Sequence, residues 1–204
     1  MHARTDKELS NDLSKREYTV FDLETTGFLP EIGHEILSIG AVRMNGSGEI
    51  IDEMHQLIKP IRPVPKHILS LTNLSKDSLT QAPSFIEGFH QFLDFSEHST
   101  LVAHPAHFDV RFLRAMVKRW KLPGYNPACI DSQLMAKLAV PSVSHRLDPL
   151  LNHFNIHRLE RHHALNDALM TAELFKELLR IINNNHHIFT YTELQQQLKK
   201  QKSS

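Results

Sequence analysis

The chain has 204 residues, enough for one well-filled domain and too few for two large ones. Hydrophobic residues make up 41% and charged residues 23%, which excludes a disordered or fibrous class, and no run approaches the roughly 20 apolar residues that span a bilayer. Lys plus Arg and Asp plus Glu balance at 23 each, so overall charge does not point to a polyanion partner, although bound metal ions can supply positive charge locally.

Residues 1–17 are polar and turn-rich, read as an N-terminal tail, and lack the apolar core of a signal peptide, so a cytoplasmic location is expected. From Tyr18 the pattern becomes extended: "YTVFDLE", then "EILSIGAVRM" at 35–44 and "EIIDEMHQLI" at 49–58, with "NGSG" at 45–48 as the turn between the last two. This predicts an antiparallel meander. The prolines of "KPIRPVP" end it, and "PSFIEGFHQFLDF" at 83–95 reads as a helix with Pro83 in its first turn.

"TLVAH" at 100–104 is a short strand candidate followed by a helix over 107–120, and "ACIDS" at 128–132 is another. "HRLDPLLNHFNI" predicts a short helix, and Leu165, Ala168, Leu169, Ala172, Phe175, Leu179 and Ile182 mark a long one over 164–182. Strands first and then alternating α and β predict an α/β domain at 18–182, a mixed β-sheet flanked by α-helices. Residues 183–204 read as a C-terminal tail or appended helix. The lone Cys129 rules out an internal disulfide and reads as a small buried hydrophobe.

Alternate residues of a strand share a face, so Asp22 and Glu24 stand side by side while Phe21 and Leu23 point the other way. Such a pair repels itself unless protons or cations offset it, and hard divalent ions prefer oxygen ligands. Asp109 in "VAHPAHFDVRFL" and Asp167 in "HHALNDAL" fall at helix starts, where they can converge on the same place. His162, five residues before Asp167, is placed to take a proton from an attacking water. Asp131 and Asp148, also near element starts, read as helix caps rather than ligands.

"FDLETTG", "AHPAHFD" and "HHALNDA", in this order and spacing, resemble the three exonuclease motifs of the DEDDh branch of the DnaQ-like family, which includes the polymerase III epsilon proofreading subunit and ribonuclease T. The match covers about 18–182. The resemblance implies a ribonuclease H-like fold and a 3′–5′ exonuclease that releases nucleoside 5′-monophosphates. It implies that Asp22, Glu24, Asp109 and Asp167 bind two divalent metal ions, Mg²⁺ or Mn²⁺, and that His162 is the general base, the H-x-A-x-x-D pattern selecting it over His163. Thr25, Thr26 and Phe28 would meet the last nucleotide, with a core contact as the other reading of Phe28.

Two positions depart from the family pattern. Asn73 stands where Gly is usual, in a turn whose left-handed backbone Asn tolerates. Pro105 replaces an Asn and offers neither side-chain hydrogen bonds nor an N–H. The implied partner is a single-stranded or 3′-end nucleic acid, DNA ahead of RNA, and no membrane. The basic groups read first as solvated faces, and Arg158 and Arg161, beside His162, are the ones best placed to track a phosphate backbone instead. The alternatives are an RNA-trimming enzyme of the ribonuclease T type, or a silent module that binds a polymerase or other protein, with "LQQQLKK" as a binding segment or a plain surface helix.

Overall fold

Glu17–Thr25 (β1) forms the axis of the sheet in the computed structural model, which describes residues 9–203; residues 1–8 of the expected N-terminal tail lie outside the described residues, as does Ser204. On one side β1 pairs antiparallel with Ile36–Asn45 (β2), which pairs antiparallel with Ile50–Leu57 (β3). The order of the five strands is β3-β2-β1-β4-β5, with Thr100–Ala103 (β4) and Cys129–Asp131 (β5) parallel to β1. The expected meander and the two expected short strands are thus all present.

Alternation along β1 sorts two apolar layers. Tyr18 and Val20 join Val42, Met44 and Val102 on one face, while Phe21 and Leu23 join Ile39, Ala41 and Leu101 on the other. The first face packs on Ala164–His186 (α7), whose Phe175 lies edge-on to Tyr18 with ring centroids 4.9 Å apart. Ser132–Ala139 (α5) and Leu147–His153 (α6) extend that layer. The second face is covered by Phe85–Phe95 (α3) and Ala106–Arg119 (α4).

Two short helices, Lys66–Thr72 (α1) and Lys76–Gln81 (α2), precede α3. Asn73 between them adopts φ 54°, the left-handed conformation expected of it. At α3 the sequence reading is corrected: Ser84, not Pro83, starts the helix. Ser84 and Glu87 form a reciprocal capping box, which satisfies backbone donors that a first-turn proline would leave to chance.

Outside 18–182, Leu13 is buried in the α7 layer, and so are Leu194 and Leu198 of Tyr191–Ser203 (α8). The two leucines of "LQQQLKK" are therefore turned into the core. Leu13 N–H donates to the Phe189 carbonyl (2.9 Å) and Tyr191 N–H to the Asn11 carbonyl (2.7 Å), joining the segment before β1 to the start of α8. Among the described residues no helix is long and apolar enough to cross a membrane.

Gly40 decides where α7 sits. It lies opposite Asp22 in the β1–β2 register, on the face that α7 covers. A Cβ here would overlap the backbone carbonyl of Ala164 and the amide of Leu165, so the missing side chain is what lets the first turn of α7 close on the sheet beside Asp22.

Candidate active site

The carboxyl ends of the parallel strands β1 and β4, with a helix layer on each side, are the place where α/β sheets most often bind ligands. β1 delivers Asp22 and Glu24 from its carboxyl-terminal half. α4 delivers Asp109 from the opposite layer, and α7 delivers Asp167 across Gly40. Burial raises the pKa of Asp22 well above the usual carboxylate range, and the neighbouring charges of Asp109, Asp167 and Glu24 raise it further, so Asp22 lies within reach of the other three acids. One carboxylate oxygen of Glu24, one of Asp167 and a ring nitrogen of His162 all lie within 4.8 Å of one another.

Glu24 is pushed up to about 7, first by burial and then by Asp167, with Arg161 opposing. Asp109 moves up chiefly by burial, against hydrogen bonds that it accepts from the backbone, including that of Leu23. Each acid is thus more protonated in the folded chain than unfolded, which sets the sign of a pH effect. Stability gained from Glu24 is present below its ordinary pKa of 4.5 and is lost as pH rises through about 7, a loss of up to about 3 kcal/mol. Without divalent ions the protein is expected to unfold at a lower temperature at pH ~8 than at pH ~5, and Mn²⁺ should restore it at the higher pH; a thermal scan at both values checks this.

His162 and His163 have different surroundings. His162 is exposed with φ 61°, a left-handed backbone that costs a non-glycine residue about 1 kcal/mol, and its N–H donates to Asp167 Oδ2 (3.0 Å). His163 caps α7 by accepting from the Asn166 amide through Nδ1 (3.4 Å), and its ring packs on His55 at 4.3 Å.

The loop after Glu24 is tied to itself. Thr25 Oγ1 donates to the Gly27 carbonyl (2.7 Å), and Thr26 Oγ1 accepts from Glu35 N–H (2.9 Å). Phe28 is 78% exposed and touches Phe108 edge-on with centroids 6.1 Å apart, so the core-contact reading of Phe28 is set aside.

Pro105 occupies the N-cap of α4 and makes no side-chain cap. The turn is pinned instead by His104, whose half-buried ring bonds the His145 carbonyl through Nε2 (3.0 Å) and Ser132 Oγ through Nδ1 (2.9 Å). Burial lowers its pKa to about 4, so the ring is neutral at physiological pH.

Asp131 caps α5 by accepting from the amides of Gln133 and Leu134, as expected, and stands close enough to add to the upward shift of Asp109. Asp148 is a correction. It lies in the first turn of α6 but caps nothing; its Oδ1 accepts from Arg161 Nε (3.2 Å) and lies 3.7 Å from Arg158. Arg161 also pairs with Asp167 Oδ1 through Nη1. Sequence reasoning misses this ion pair, since it places Arg161 toward a phosphate backbone and gives no sign of which acid the guanidinium meets.

Residues 19–175 match a family model described as exonuclease. Among curated proteins, the PolC-type DNA polymerase III of Thermotoga maritima is 35% identical over 178 residues, 86% of this chain and 13% of that protein. The Bacillus subtilis counterpart is 33% identical over 170 residues, 82% of this chain and 12% of that protein. The chain therefore spans about an eighth of the length of these relatives.

Among solved structures, the nuclease domain of 3′hExo, a DEDDh family member, bound to rAMP, superposes with a TM-score of 0.73 at 20% identity, covering 83% of this chain and 94% of that one. Exonuclease X in complex with 5′ overhanging duplex DNA gives 0.67 at 22%, covering 89% and 99%. The fold is that of the ribonuclease H-like DEDDh exonucleases.

Proposed function

Because the chain belongs to the DnaQ-like DEDDh exonuclease family, we propose that it is a metal-dependent 3′–5′ exonuclease that hydrolyses the terminal phosphodiester of DNA and releases nucleoside 5′-monophosphates. The observation that carries this reading is the convergence of Asp22, Glu24, Asp109 and Asp167 at the carboxyl ends of β1 and β4, with His162 beside them.

In this reading the four acids hold two divalent ions, Mg²⁺ or Mn²⁺. The donor set fits: oxygen ligands suit hard cations, and carboxylates whose pKa values stay raised despite Arg161 call for more positive charge than that one guanidinium supplies. Bound there, such ions polarise a phosphoryl oxygen and acidify a water. His162 takes the proton of the attacking water, its exposed ring lying against Glu24 and Asp167. Thr25 and Thr26 shape the loop that meets the 3′ nucleotide, and the exposed ring of Phe28 offers a face on which a base of any identity can stack.

DNA is assigned ahead of RNA because the curated relatives named above are DNA polymerases, and the same likeness supports a polymerase as protein partner. Purified protein with Mn²⁺ and matched 5′-labelled single-stranded DNA and RNA oligomers is expected to shorten the DNA from its 3′ end one nucleotide at a time, and EDTA to stop it. Faster shortening of the RNA would move the assignment to RNA trimming. No shortening of either would leave a silent binding module.

A further inference from the structure

Arg161 stands between two acids on different helices. Its Nη1 pairs with Asp167 Oδ1, its Nε donates to Asp148 Oδ1 (3.2 Å), and the second oxygen of Asp167 accepts from His162 N–H (3.0 Å). Both Asp167 oxygens are therefore engaged by the chain itself, one of them by a charge that cannot be lost, since a guanidinium stays protonated at any ordinary pH. Arg161 also acts on Asp22 and Glu24, lowering the pKa of each.

A tethered cation competes with a dissolved one at a high effective concentration. Asp148 offers Arg161 a second berth: it is half-exposed, caps no helix, and already touches the guanidinium. We propose that Arg161 is a resident counter-cation of the acidic site, competing with the divalent ion for Asp167 and moving fully onto Asp148 when that ion binds. This rests on the reading of Asp167 as a metal ligand.

Substitutions at the two residues then have opposite effects on affinity. Arg161→Gln removes the competitor, whereas Asp148→Asn removes its alternative berth and leaves Arg161 on Asp167. Calorimetric titration of Mn²⁺ into the full chain, without nucleic acid, reads both. Arg161→Gln is expected to bind about tenfold more tightly than wild type, which is about 1.4 kcal/mol, and Asp148→Asn several-fold more weakly. Metal-free Arg161→Gln should also unfold at a lower temperature and gain more from Mn²⁺, because its carboxylates lack their internal cation.

Arg161→Lys, which keeps the charge but loses the planar fork, should fall between wild type and Arg161→Gln. Equal or weaker Mn²⁺ binding by Arg161→Gln, or a shift of both variants in one direction, overturns the counter-cation role while leaving the metal site intact. Mn²⁺ taken up by none of the variants nor by wild type overturns the metal site itself, and the competition with it.

Discussion

His162→Ala is expected to lower kcat on single-stranded DNA by about 10²- to 10⁴-fold, the usual worth of a positioned general base, while Mn²⁺ still binds. The neighbouring His163→Ala should keep kcat within a few-fold of wild type and lose only about 1 kcal/mol of stability, as a removed helix cap does. The contrast comes from one backbone turn. At His162 the left-handed φ of 61° puts the ring outside the helix, next to Glu24 and Asp167, whereas His163 turns back to cap α7 and rest on His55. Single-turnover rates for both variants, with Mn²⁺ affinity measured alongside, test the assignment. A large loss in His163→Ala and a small one in His162→Ala would make His163 the base.

Gly40→Ala is expected to disable the site without touching any acid. The added methyl meets backbone atoms of Ala164 and Leu165, which cannot rotate away as a side chain would. α7 must lift from β2, at an overpacking cost of about 3 kcal/mol. Asp167 and His162 move with it, and a displacement of ~1 Å at reacting groups costs about 10²-fold in rate. Urea unfolding together with kcat would show both losses. A Gly40→Ala protein with wild-type stability and rate would mean that the first turn of α7 is free to sit elsewhere.

The acids are legible in the sequence because their placement follows from short-range rules. Period-two alternation puts Asp22 and Glu24 on one face whatever the partner strand, and helix starts after short strands put Asp109 and Asp167 at the same edge. Asn73 is legible for the same reason, since its backbone conformation is a local property. Gly40 is not, because its role exists only through cross-strand register and the approach of a helix more than 120 residues later. Arg161 is not, because a sequence states a charge without its partner, and Asp148 and Asp167 are both within reach. The segment around Leu194 looks like a tail because glutamines and lysines dominate it, yet two leucines four residues apart suffice to seat one face of α8.

The bonds joining Leu13 to Phe189 and Tyr191 to Asn11 tie the segment before β1 to the start of α8. That junction precedes the amino end of β1, whereas Asp22 and Glu24 lie about 16 to 23 Å along the strand from Glu17 at the rise of an extended strand. The segments before β1 and after α7 thus hold each other at the end of the sheet away from Asp22 and Glu24, so that local fraying there can occur without reaching the acids.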